Sequence, residues 1–311
     1  MSIKKILSLF ILITFNSFFF IGFLKKRRLI HVDESAFGHL VGDTLVFLIH
    51  EKNDNLLYYL PLHKPINEDY VNFLKTRIII VRSSMLRKIA AILRDTNYIC
   101  NLTTMLNGYH DKQSFFAPIK YPKYNYRNID LKKISKIIPD NLTNYKKLNK
   151  YNLTKNKYSL INLRNNSKFR FRNSIQMQVK EILDFLKNQN EIIVNISDLY
   201  LEGTINLKKM HHYDINDNFS LIKNAKCYIG DSSGATVIAL LMSQKVFAYN
   251  YYPINHKPPN SCFFSYMKVE TKNNNIDYNL INNIDDMIEN EIIVYNTAPT
   301  FNEFKIFWEL I

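Results

Sequence analysis

The chain has 311 residues, 47% of them hydrophobic and 14% aromatic, which excludes a disordered protein and gives enough apolar material for two ordinary cores. Its three cysteines, Cys100, Cys227 and Cys262, are scattered without Cys-x-x-Cys spacing, which excludes a disulfide framework and a zinc cage and points to a reducing compartment. The net charge of +14 suits anionic partners: a membrane surface, phosphorylated ligands or nucleic acid.

Residues 6 to 24, "ILSLFILITFNSFFFIGFL", carry no charge. At about 1.5 Å per residue such a helix nearly spans a hydrocarbon core of about 30 Å. The run ends directly in "KKRR", residues 25 to 28, without small residues for cleavage, so residues 1–28 are expected to be an uncleaved N-terminal membrane anchor. The basic flanks favour a body on the cytoplasmic face, and an interfacial insertion of the same segment remains open. Outside residues 1–28 the chain holds 35 basic and 27 acidic side chains, a surplus of 8.

Beyond the anchor, "SAFGHLVGDTLVFLIH" repeats apolar residues at Phe37, Leu40, Val41, Leu45 and Leu48, a helical spacing. A strand "NLLYYLPL", a short helix "NEDYVNFLK", a buried strand "RIIIVR" and a helix "SSMLRKIAAILRD" follow, which is the alternation of a parallel α/β domain. From about 108 to 156 the pattern dissolves into Lys, Asn, Tyr and Pro, with one short helix expected near 130 to 138, so 29–155 reads as a first α/β domain with its connector.

A second domain is expected over 156–311. It starts with the strand "YSLINLRNNS", whose polar end contains Arg164, then the helix "NSIQMQVKEILDFLKN", the strand "EIIVNI" with "SDLYL" after it, and the helix "DNFSLIKNA". The strand "KCYIG", the turn "DSSG", the helix "ATVIALLMS" and the strand "KVFAYN" come next, and a last strand "EIIVYN" leads into a C-terminal helix. There is no fixed-period repeat and no heptad pattern.

The run "GDSSG" sits at the carboxyl end of a strand and opens a helix. Ligands of open parallel sheets bind at such ends, and a helix N-terminus offers unpaired N–H groups and partial positive charge to an anion. Asp231, Ser232, Ser233 and Gly234 are therefore candidate phosphate contacts. A plain capped turn uses the same residue types, so the turn alone admits both readings. Arg164, at the end of the first strand of the same half, would project from the same edge, where a guanidinium can grip a diphosphate. Asp198 follows the second strand and is placed either to accept hydrogen bonds from a ribose or to cap a helix. His39 has an unperturbed pKa near working pH and is a candidate general base, with Asp43 four residues on to orient it, unless it is a structural helix histidine. No Asp-x-Asp occurs, which argues against a cation bridging a diphosphate, and His211 and His212, being adjacent, are not expected to share a metal.

The run from "SDLYL" through "YIGDSSGATVIALLMSQKVFAYNYYPIN" to "NTAP", together with "FGHLVGDT", resembles a family of bacterial glycosyltransferases of surface-polysaccharide biosynthesis, and more distantly the fucosyltransferase-like enzymes of GT-B fold. The resemblance covers most of the chain after the anchor. It implies two Rossmann-like domains facing a cleft, with Arg164 and Asp231 to Gly234 on a nucleotide-sugar. It implies a bacterial enzyme at the cytoplasmic face of the inner membrane, with a lipid- or polysaccharide-linked glycan as acceptor and no cofactor beyond the nucleotide-sugar co-substrate. Where such folds often carry His-x-Arg at the strand end, "NLR" places Asn162 in the His position, which keeps a catalytically inactive, membrane-associated glycan- or nucleotide-binding protein as the alternative. A nucleic-acid binder lacks support, since no recognition motif of that class is present.

Overall fold

The computed structural model describes residues 28–31, 38–45, 48, 56–60, 67–82, 99–101, 137–165, 176–231, 233–242, 245–251, 263–266, 268–270, 293–295 and 301–311. The apolar segment 6–24 and the helix expected over 83–95 lie outside these residues. Among the described residues no helix is long and apolar enough to cross a membrane.

The first half contains β1 (Arg28–His31), a π-helical turn (His39–Asp43), β2 (Leu56–Leu60), α1 (Glu68–Lys75), β3 (Ile79–Arg82) and β4 (Ile99–Asn101). Its four strands form a sheet in the order β3-β2-β1-β4, parallel throughout. Neither β1 nor β4 was legible in the sequence. Arg28, the last residue assigned to the anchor's basic flank, is the first residue of β1, an inner strand of this sheet. α1 forms where expected: the Asn67 side chain caps the Tyr70 N–H at 2.8 Å, Glu68 and Asp69 occupy the first turn and Lys75 the last. Its Tyr70, Val71, Phe73 and Leu74 are buried, and Tyr70 stacks on Phe219 of the second half at 5.4 Å.

Residues 137–157 correct the expectation of a loose connector. α2 (Asp140–Thr143) and a 3-10 helix (Tyr145–Tyr151) bury Leu142, Leu148 and Tyr151, and Leu153 follows them into the core. Asn152 and Asn156 adopt left-handed backbone, a conformation asparagine tolerates better than most residues, and so turn the chain sharply into the next strand. Asn-rich composition here encodes turns. The segment is bonded to the second half: Ser220 donates to the Asn144 carbonyl (2.6 Å), Asn224 to that of Thr143 (2.9 Å), and Lys150 pairs with Asp217 (2.9 Å).

The second half runs β5 (Tyr158–Asn162), α3 (Gln176–Asn188), β6 (Ile192–Asn195), β7 (Ile205–Asn206), α4 (Asn218–Lys223), β8 (Cys227–Gly230), α5 (Gly234–Met242), β9 (Val246–Tyr251) and β10 (Phe263–Tyr266). These six strands make one parallel sheet in the order β10-β9-β8-β5-β6-β7. Both faces are buried, and the period-2 alternation of side chains sorts them. Tyr158, Leu160, Val194, Tyr228, Val246 and Ala248 join α4 and α5 on one face. Ile161, Ile193, Cys227, Ile229 and Phe247 join α3 and α6 (Phe301–Glu309) on the other. The chain is thus an α/β protein built on parallel sheets. The last strand expected, here β12 (Ile293–Tyr295), pairs instead with β11 (Lys268–Glu270) as an antiparallel ribbon.

Candidate functional site

Chain order runs outward from β5 in both directions: β6 and β7 lie to one side, β8, β9 and β10 to the other. The ladder between β5 and β8 ends at Asn162 paired with Gly230. Beyond that pair β5 leads to α3, packed on one face, and β8 leads to α5, packed on the other. Strands whose continuations part in this way leave a crevice at their carboxyl ends, the position at which open α/β sheets bind ligands. Residues 163–165 form one wall, and Asp231, Ser233 and Gly234 the other, so Arg164 lies beside the described residues of the turn, whose Asp231 accepts its backbone N–H.

The turn is organised by hydrogen bonds whose direction can be assigned. Thr236 Oγ1 donates its single proton to the Asp231 carbonyl. Tyr228 Oη (3.1 Å) and Ser233 Oγ (3.0 Å) must then donate to Thr236 Oγ1. Ser233 Oγ in turn accepts from Asn162 Nδ2 (2.8 Å) and from the Thr236 N–H (3.3 Å), the bond of a helix N-cap. In this arrangement the Ser233 hydroxyl has no proton left for a ligand. The N–H groups at the start of α5, Gly234 and Ala235, are the donors that an α-helix leaves open to an anion. Burial pushes the Tyr228 hydroxyl far above its ordinary range, so it stays a proton donor at any working pH.

Asp231 is wholly buried, at 0% exposure, and its carboxylate accepts the Arg164 backbone N–H at 2.5 Å. It holds the backbone of Arg164, which is itself half-buried at the crevice wall. Asp198 stands at the carboxyl end of the neighbouring β6, but it is exposed (78%), pairs with Lys208 at 2.8 Å and caps no helix. Its loop is fixed from below by Asn195, whose amide donates to the Leu199 carbonyl and to Asn206 Oδ1, both at 2.6 Å.

Gly230 and Gly38 each have a packing reason. A Cβ on Gly230 would meet the Asn162 carbonyl and the Tyr228 ring and hydroxyl, all at 2.9 Å. A Cβ on Gly38 would lie 2.8 Å from the Gly234 Cα. That second contact brings Gly38, at the head of "GHLVGD" of the first half, directly onto the start of α5. His39 begins the π-helical turn immediately after Gly38, so its backbone borders the crevice, while its imidazole, the Asp43 side chain and Ser232 lie outside the described residues. Leu40, Val41, Leu45 and Leu48 are buried as their spacing predicts. The residues missed by sequence reasoning are Asn162, Tyr228 and Thr236 as the supports of the turn. Tyr228 and Thr236 sit in apolar strand and helix patterns that signal only core. Among the described residues no group of three or more His, Cys, Asp and Glu could hold a metal ion.

No family model matches the sequence, and no curated protein matches it.

Proposed function

We propose that the chain is a membrane-associated glycosyltransferase of GT-B type, which moves a sugar from a nucleotide-sugar to a lipid- or polysaccharide-linked glycan at the cytoplasmic face of a bacterial membrane. The observation that carries the reading is the reversal of strand order between β5 and β8, with Arg164 on one wall of the crevice and the α5 N-terminus on the other. The first sheet's order, β3-β2-β1-β4, repeats the β7-β6-β5-β8 portion of the second, which suits two domains of one architecture.

In the proposed reaction an acceptor hydroxyl oxygen bonds to the anomeric carbon as the bond from that carbon to the diphosphate breaks. The electron pair leaves with the diphosphate oxygen, and the acceptor proton passes to a base, the role assigned to His39. Arg164 and the open N–H groups of α5 stabilise the charge that grows on the diphosphate. No cation is needed for that step, in keeping with a sequence that lacks Asp-x-Asp.

Asn162 favours a second reading, a protein that binds nucleotide or glycan without transfer, because a carboxamide cannot act as a general acid or base at neutral pH and here it serves Ser233. The two are separated by incubating the full chain with a panel of nucleotide-sugars and an undecorated glycan, with and without EDTA. Acceptor-dependent, EDTA-insensitive release of nucleoside diphosphate from one donor is expected. Binding without release selects the second reading, and neither binding nor release contradicts both.

A further inference from the structure

The walls of the β5/β8 crevice are joined by two side-chain bonds that run in opposite directions. From β8, Asp231 Oδ2 accepts the Arg164 N–H at 2.5 Å; from β5, Asn162 Nδ2 donates to Ser233 Oγ at 2.8 Å. Both lie at or just past the last ladder pair, Asn162 with Gly230, where the backbone ceases to hold the two chains together. Residues 163–165 have no regular structure of their own, so their position depends on what fastens them to β8. A buried carboxylate is costly unless it accepts hydrogen bonds, and Asp231 takes one from the backbone of Arg164.

We infer that Asp231 and Asn162 are positioning residues: they clip the carboxyl ends of β5 and β8 together and hold Arg164 and the α5 N-terminus at a fixed separation before any ligand arrives. A pre-ordered pair of walls binds an anion without the cost of ordering a loop at the moment of binding. The inference rests on the nucleotide-binding reading for its consequence, but the clip itself has a ligand-free signature. The Arg164 N–H is tied by the side chain of Asp231, the residue after β8, so its amide proton should exchange slowly although it lies outside any strand.

The test uses the full chain in detergent, with Asp231→Asn, Asp231→Ala and Asn162→Ala. Amide hydrogen exchange of residues 163–165 is followed first. The parent and Asp231→Asn, which keeps an acceptor oxygen, should exchange slowly, and Asp231→Ala at least tenfold faster. Calorimetry with a panel of nucleoside diphosphates is the second readout. Asp231→Ala should weaken the best binder about tenfold, the loss of one hydrogen bond, with Asp231→Asn restoring it to within about threefold. A purely structural role would lower the melting temperature without rescue of affinity by Asn. Unchanged exchange in Asp231→Ala, or equal loss in Ala and Asn variants, overturns the clip. If Asp231→Ala does not fold, Asn162→Ala takes its place, with fast exchange at Ser233 and Gly234 expected and slow exchange contradicting. If no nucleoside diphosphate binds the parent, the nucleotide reading fails while the exchange result still decides the clip.

Discussion

Gly38 and Gly234 stand almost in backbone contact, since a Cβ on the first would lie 2.8 Å from the Cα of the second. The two glycines come from different halves of the chain, one after β1 and one at the start of α5, the helix that borders the candidate site. Gly38→Ala should force these backbones apart at a cost of roughly 1 to 3 kcal/mol, an overpacking effect with no flexible side chain to absorb it. A lowered midpoint in urea is the expected result; a midpoint equal to the parent's would show that the halves separate freely.

Stability should fall in strong alkali. Burial is the first cause of the raised pKa of Tyr151, Tyr158, Tyr213 and Tyr228, and it pushes the Cys227 thiol up to about 12. The unfolded chain loses the thiol proton near about 9 and the tyrosine protons near about 10, while the folded protein keeps them. Their contribution is therefore complete below about pH 9 and shrinks as pH rises above it, first through the thiol and then through the tyrosines. Spectrophotometric titration should show a tyrosine fraction that ionises only together with unfolding. Smooth titration of every tyrosine with the fold intact would contradict the burial.

The C-terminal helix α6 is held by aromatic contacts. Phe304 is fully buried, with its ring 5.2 Å from that of Phe247 and 5.9 Å from that of Phe185, and Trp308, the chain's single tryptophan, lies beside them under Lys226 Nζ at 3.9 Å. Phe304→Ala should cost about 3 to 5 kcal/mol. Trp308 emission should shift to the red at denaturant concentrations that leave the parent unchanged. Emission identical to the parent's would mean that α6 does not depend on this ring.

Truncation distinguishes the apolar segment from the fold. Removing residues 1–24 should release the protein from membranes with its circular dichroism spectrum intact, because β1 begins only at Arg28. Removing residues 1–31 deletes a strand that lies between β2 and β4 and should prevent folding of the first half. A full-length chain found wholly in the soluble fraction would refute the anchor.

The second half was largely legible in the sequence, because β5, β6, β8 and β9 are short apolar runs closed by turn residues and their helices carry clean apolar faces. The strands missed were β1, β4, β7, β10 and β11, all with little pattern to read: β1 follows a basic run, and the others are two to four residues long. Placement of Arg164 beside the turn followed from strand ends alone. The roles of Asp231 and Ser233 did not, because which polar atoms face inward depends on the pairing of β5 with β8, two strands far apart in sequence. Nor does the sequence show that Gly230 is needed to make room for the Asn162 carbonyl and the Tyr228 ring.

The central claim is that the β5/β8 crevice seats the diphosphate of a nucleotide-sugar, and calorimetric titration of the parent and Arg164→Ala with a panel of nucleoside diphosphates tests it most directly. Loss of a charged hydrogen-bonding partner, about 1.5 to 3 kcal/mol, should weaken the best binder by about 10- to 100-fold. Lys155→Ala, an exposed charge at the opposite end of β5, should leave the affinity unchanged. A folded Arg164→Ala protein that binds as tightly as the parent would contradict the account.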